Sequence, residues 1–255
     1  MIKYWLKLWS VNDRLFKDAI ESINDWKFDF IELYIVPDRI NISKFSVFKT
    51  SDIDISIHLP HSSHWFNPIE AENNSEALWW ILYEYIEYLN PFKIVLHPEF
   101  GDDIKVLERR LSFFNDKRII IENMPQVSSI LEDIKFYWYN LDQIKSIKKF
   151  SPNFCFDFAK AKSSAISQWK EIVKFSNSLI SEMQPEYFHI SWFLSDTEVD
   201  EHYDIWEWDK KLMEYMKEKI ITYSKEGNIF VVFECRKKNW INNDIKNLDY
   251  FKNIK

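Results

Sequence analysis

Six short apolar runs in this 255-residue chain each end on, or just before, a residue able to bind a metal or move a proton. They are ISIHLP at His58, IVLHPEF at His97, RIIIENMP at Glu122, FCFDF at Asp157, YFHIS at His189 and FVVFEC at Glu234. A brief apolar run bounded by turn-forming residues reads as a buried strand, and the polar residue at its far end marks where the chain leaves the core. Strand side chains alternate, so Ser56 shares a face with His58, Val95 with His97, Ile120 with Glu122, Cys155 with Asp157 and Val232 with Glu234. The upper member of each pair then collects at one end of a sheet while the lower packs beneath it.

Imidazoles and carboxylates together form a mixed nitrogen and oxygen donor set that suits zinc and similar divalent ions. Glu122, on a middle strand, has two oxygens and can bridge two ions. Without cations such acids raise one another's pKa and lose hydration, so the cluster itself argues for bound positive charge. A lone histidine or glutamate at a strand end is more often a hydrogen-bonded structural group. Its repetition in successive strands favours a metal centre. The loop PHSSHWFNP adds His61 and His64, read as substrate contacts or plain surface, and the aromatic pair Trp65 and Phe66.

Eight strands are needed to position these residues: 4–9, 29–36, 53–59, 92–97, 118–122, 153–157, 187–191 and 229–234. Between them, apolar spacing of three and four predicts helices over 15–26, 70–89, 102–114, 127–137, 161–179, 210–224 and 244–251, with at most a short one at 43–48. The stretch 141–151, with Lys145, Lys148 and Lys149, reads as a solvated loop. Strands alternating with helices place the chain in the α/β class as a (β/α)8 TIM barrel, one domain spanning 1–255. An open doubly wound sheet would gather its site at one switch point. Polar ends on nearly every strand from the third to the eighth fit a barrel mouth better.

Bulk composition narrows the function. Hydrophobic content of 46% and aromatic content of 18% supply ample core. With only 2 glycines and no GxGxxG or GxxxxGK[ST] run, nucleotide-cofactor binding by those loops is set aside. The opening MIKYWLKLWS reads as a first strand, not a signal peptide, and no apolar stretch reaches the roughly 18 residues of a membrane span. Cys155 and Cys235 read as buried reduced thiols, which with these features suggests a cytoplasmic protein. A formal charge of −7 disfavours a broad basic nucleic-acid face. Three divalent ions would add six positive charges and nearly cancel it, so nucleic acid is not excluded.

Taken together and in order, SIHLP, VLHPEF, IIENMP, CFDFAKA, YFHISW, the Asp200-Glu201-His202 triplet and VVFECR resemble the xylose isomerase-like barrel superfamily, most closely its endonuclease IV branch, also called AP endonuclease family 2. The resemblance extends from residue 53 to 234. It implies metal ligation by His58, His97, Glu122, Asp157, His189, Asp200, His202 and Glu234, with two or three zinc ions, or manganese in their place. Two departures stand out. The family usually has a glycine where this chain has Glu99. Where the family places a third-zinc histidine, three residues after the aspartate, this chain has Lys160, whose protonated amine cannot coordinate. Lys160 then either supplies a fixed positive charge in place of the third ion, with Asp200 as its partner, or leaves that ion with fewer protein ligands.

The resemblance implies hydrolysis of a phosphodiester 5′ of an abasic site in double-stranded DNA, with the damaged nucleotide flipped out. Glu122, Glu234 and Lys160 are the expected catalytic groups; Trp65, Phe66, His61 and Arg236 are the expected substrate contacts. Trp206 and Trp208 are further stacking candidates, and Lys162, Lys237 and Lys238 further phosphate contacts. The superfamily's divalent-metal sugar isomerases and epimerases share only Glu122, Asp157, His189 and Glu234, and a sugar or polyol is the alternative substrate. A UV-damage endonuclease, or a binding protein that kept its metal without turnover, are other readings. None involves a membrane or a nucleotide cofactor.

Overall fold

The computed structural model describes residues 1–37, 41–69, 73–127, 136–151, 153–191, 202–207, 210–235 and 241–254. Eight parallel strands close into a barrel in chain order: β1 (Ile2–Trp9), β2 (Phe30–Tyr34), β3 (Ile55–His58), β4 (Lys93–Leu96), β5 (Ile119–Glu122), β6 (Phe154–Asp157), β7 (Tyr187–Ile190) and β8 (Ile229–Phe233). β8 returns to pair with β1, Trp5 lying opposite Val232 on one side and Phe30 on the other. Among the described residues no edge strand is left over, so these strands expose no row of unpaired amides.

Alternation along each strand sorts the core into two parts. Outward residues such as Leu6, Leu33, Ile57, Ile94, Ile121, Phe156, Phe188 and Phe233 pack under the helices. Inward residues Trp5, Phe30, Val95, Ile120, Cys155, Tyr187 and Val232 form a separate buried plug inside the barrel. Trp5 lies with its ring 4.7 Å from those of both Phe30 and Phe92. Emptying such a position costs about 3–5 kcal/mol for a Trp-to-Ala change. The plug also gives the residues one pleat higher a solid floor.

The helices are α1 (Phe16–Asn24), α2 (Ser46–Thr50), α3 (Asn73–Leu89), α4 (Ile104–Phe114), α5 (Leu141–Lys148), α6 (Phe158–Ser167), α7 (Ile172–Met183), α8 (Lys210–Ser224) and α9 (Ile241–Asn253). Two differ from the sequence reading. The expected lysine loop at 141–151 is largely α5, started by a capping box in which the Asn140 side chain accepts from the amides of Asp142 and Gln143 while the Gln143 side chain accepts from the Asn140 amide. The expected helix over 161–179 is two helices: α6 starts at Phe158, capped by Asp157, and after the turn at Trp169 (φ 55°) Glu171 caps α7 through the amides of Val173 and Lys174. Asp157 therefore ends a strand and begins a helix at once. Most of the helix expected over 127–137 falls at 128–135, outside the described residues.

With glycine so scarce, left-handed backbone falls to other residues. Asn90, Asn115 and Gln184 close α3, α4 and α7 with φ between 44° and 48°, and Trp26, Asp52, Trp65, Glu99 and Trp138 also have positive φ.

Candidate metal centre

Every strand sends one charged or imidazole side chain to the carboxyl-end mouth of the barrel. Lys7 comes from β1, Glu32 from β2, His58 from β3, Glu122 from β5, Asp157 from β6 and His189 from β7; His97 and Glu234 lie one residue beyond β4 and β8. All eight are buried. The six sequence candidates come together, joined by Lys7 and Glu32, which sequence reasoning missed. Their signal was a single charge inside each of WLKLW and FIELY, two residues above the plug residues Trp5 and Phe30; the two lie opposite one another in the β1–β2 register.

Glu122 is the hub. Its Oε2 lies 2.7 Å from His97 Nε2 and 3.3 Å from His58 Nε2. Its Oε1 accepts from Lys160 Nζ at 2.6 Å and lies 3.0 Å from His189 Nδ1. Lys160, on the first turn of α6, also stands 3.3 Å from Asp157 Oδ2 and 3.2 Å from His97 Nε2. Its ammonium is thus wedged between the two carboxylates. Asp157 is held by the Asn123 amide group and caps the Lys160 backbone amide at 2.9 Å.

Each imidazole is also gripped from behind. His58 Nδ1 lies 2.7 Å from the Leu59 carbonyl, His189 Nε2 lies 3.0 Å from Glu32, and His97 Nδ1 faces Glu99 at 3.3 Å. Glu32 is fixed in turn by the Tyr187 hydroxyl at 2.6 Å, which contacts Ser56, and by Lys7 at 3.1 Å. Lys7 pairs with Glu234 as well, and Glu234 Oε1 lies 2.9 Å from His189 Nδ1.

The electrostatics follow from this packing. Burial, helped by the positive charge of Lys7, pushes His58 down to about 4, so its ring is neutral at ordinary pH. Burial alone would raise the carboxylates, but Lys160 with His189 and His97 holds Glu122 well below its usual range, and His189 with Lys7 does the same for Glu234 and brings Glu32 to about 2. Against burial, Cys155, Glu234, Glu32 and Glu122 raise His189.

A neutral His58 that donates from Nδ1 to a carbonyl has only a lone pair at Nε2. That lone pair points at an ionised oxygen of Glu122 3.3 Å away. Lys160 serves the other oxygen of Glu122, and a cation bound beside Oε2 and His58 Nε2 would satisfy both acceptors. The donor set supplies suitable groupings: His58, His97 and Glu122 in one, and Glu122, Asp157, His189 and Glu234 in another, with one ligand atom from each residue and all within 4.8 Å of one another. These residues fit a divalent ion of the zinc type.

The remaining candidates are dispersed. His202 approaches the centre, with Nδ1 3.7 Å from Glu234 Oε2. Asp200, Arg236, Trp208, Lys237 and Lys238 lie outside the described residues. At the rim, the His61 ring stacks on that of His97 with centroids 5.8 Å apart, and the Tyr34 hydroxyl lies 2.8 Å from His64 Nδ1. Trp65 is 85% exposed, whereas Phe66 is fully buried against Trp79 and offers no face to a substrate. Lys162 is likewise buried, contrary to a surface phosphate contact, and Trp206 lies under the Lys246 ammonium.

The architecture defines a TIM barrel with a buried cluster of histidine and carboxylate metal-ligand groups at its mouth. No family model matches the sequence, and no curated protein matches it. Solved structures do match in fold. Endonuclease IV from Thermus thermophilus is 15% identical, with 98% of this chain and 97% of that chain covered and a TM-score of 0.69. An AP endonuclease of family 2 from Brucella melitensis is 12% identical over 99% and 98%, TM-score 0.61. D-psicose 3-epimerase from Clostridium cellulolyticum, solved with D-tagatose, is 13% identical over 96% and 89%, TM-score 0.55.

Proposed function

We propose that this protein is a divalent-metal-dependent phosphodiester hydrolase acting on duplex DNA at abasic or damaged nucleotides, cleaving on the 5′ side. The observation that carries the reading is the contact of His58 Nε2 with Glu122 Oε2, alongside His97. It adds a second ion position to the one offered by Glu122, Asp157, His189 and Glu234. Zinc suits the imidazoles, and manganese the carboxylates. When bound, such ions polarise a phosphoryl oxygen and make water more acidic.

The chain's own groups do the rest. Glu122 faces both ion positions. The Lys160 ammonium offers fixed positive charge to non-bridging phosphoryl oxygens, and ionised Glu234 orients the attacking water by accepting its hydrogen bond. Trp65, open to solvent at the rim, stacks on the exposed base or gap, and His61 orients the strand beside it. His202 with Asp200 forms the remaining place for an ion, and Arg236 a phosphate contact.

A second reading rests on Lys160 itself. An ammonium between Glu122 and Asp157 offsets charge that a further ion would neutralise, and a single ion on the four-residue set suits a ketose isomerase or epimerase. One experiment separates the two. A labelled duplex with one abasic site is incubated with zinc- or manganese-loaded protein, with Glu122→Gln alongside. Nicking 5′ of the lesion that disappears in the variant supports the hydrolase. Intact duplex from metal-loaded protein, with ketose conversion by the same sample, establishes the isomerase reading instead.

A further inference from the structure

We infer that Glu99 is a positioning residue for the metal centre, aiming the His97 imidazole so that Nε2 faces the ion. This rests on the metal-dependent reading above and adds a residue to it. Three observations meet at Glu99. Its backbone is left-handed, with φ 58°, a conformation that disfavours a glutamate. Its side chain is fully buried between the loop after β3 and the loop after β4. Finally, its two oxygens have different duties.

Oε2 accepts from the Ser62 hydroxyl at 2.7 Å, which anchors the carboxylate. Oε1 is buried and has no hydrogen bond of good geometry among the described residues; it faces His97 Nδ1 at 3.3 Å. A buried carboxylate oxygen held by a tether on one side and turned towards an imidazole on the other is placed to receive Nδ1–H. With the proton fixed on Nδ1, the Nε2 lone pair faces Glu122 and the ion. The other imidazoles have equivalent back partners, the Leu59 carbonyl for His58 and Glu32 for His189. Glu99 completes the set, in a backbone conformation that glycine would adopt with less strain.

That strain separates positioning from simple packing. Glu99→Gly relaxes the backbone and removes the carboxylate, whereas Glu99→Gln keeps the shape and an acceptor oxygen. Zinc affinity is measured by competition with a chromophoric chelator, and melting temperature is measured in excess chelator. The expected result is affinity about 10–100-fold weaker in Glu99→Gly, with an unchanged or higher melting temperature, most of the affinity recovered in Glu99→Gln, and partial loss in Ser62→Ala. The visible spectrum of the cobalt-substituted protein shifts in Glu99→Gly alone. Wild-type affinity in Glu99→Gly overturns the inference. So does a parallel loss of affinity and melting temperature that Glu99→Gln fails to recover. A wild-type protein that binds no zinc overturns the metal reading and this inference with it, an outcome distinct from the other two.

Discussion

Replacing Lys160 with methionine tests the charge economy of the mouth. Lys160 is 4% exposed, and its ammonium touches Glu122 and Asp157 at 2.6 and 3.3 Å. Methionine fills most of the same volume and leaves both carboxylates buried without that cation. Removing one partner of a buried ion pair costs roughly 3–5 kcal/mol. At about 2–4 °C per kcal/mol for a chain of this size, the melting temperature in excess chelator should fall by about 6–20 °C. A divalent ion can take over the vacated charge, and at one hundred times its dissociation constant it returns about 2.7 kcal/mol. Wild type gains from its own zinc as well, so the gap should narrow by the contribution of the extra ion that takes the place of the ammonium, and elemental analysis should find more zinc on the variant. Scanning calorimetry with chelator and with zinc gives both numbers. A chelated variant melting within a degree or two of wild type would refute the account of Lys160 as a necessary cation. An equal deficit with and without zinc would refute the claim that ion and ammonium serve the same acids.

Glu122→Gln should lose most bound zinc, measured by elemental analysis after gel filtration, because Glu122 faces both ion positions; full stoichiometry would exclude it as a shared ligand. Burial raises the Cys155 thiol well above its usual range, and Cys235 is also buried, so neither should react with a thiol reagent until the protein unfolds. Rapid labelling of the native chain would contradict that packing. For Asp116, burial alone would raise the pKa, but the Arg118 guanidinium outweighs it and holds the carboxyl below its usual range. A depressed carboxylate stabilises above its unfolded pKa and loses that contribution as the pH falls through the folded value. The melting-temperature gap between wild type and Arg118→Ala should accordingly shrink as the pH falls below the usual carboxylate range. Asn140→Ala should destabilise by about 1 kcal/mol in urea titration, since the Asn140 side chain caps two amides of α5.

The barrel was legible because its strands are written as apolar runs ending on polar residues, a pattern that survives without any alignment. The same parity argument placed Val95, Ile120, Cys155 and Val232 in the inner plug, where the structure has them. Lys7 and Glu32 escaped because a single charge in a half-apolar strand reads equally well as facing solvent. Only barrel closure, which brings β8 beside β1, shows that the Lys7 ammonium lies between two carboxylates, Glu32 and Glu234. The break between α6 and α7 was hidden because residues 168–171, QWKE, include neither glycine nor proline. α5 was hidden by its lysines, although Asn140 and Gln143 carried the capping signal. Trp65 and Phe66 are adjacent aromatics with opposite fates, and nothing in their types told which would point inward.

The contact between Lys7 and Glu234 joins residues 227 positions apart. It therefore sets an order of events as well as a geometry. His58, His97 and Glu122 all precede β8 in the chain, so the three ligands of that grouping are made before β8 leaves the ribosome. Glu234 arrives among the last residues, and only barrel closure brings Lys7 to it. A divalent ion present early can hold β3, β4 and β5 together as a template, or it can trap an open sheet whose last strand has yet to dock. Long-range pairing is slow compared with local structure, which leaves time for either outcome. Refolding started with zinc and refolding given zinc afterwards should therefore differ in rate, even where both end in the same closed barrel.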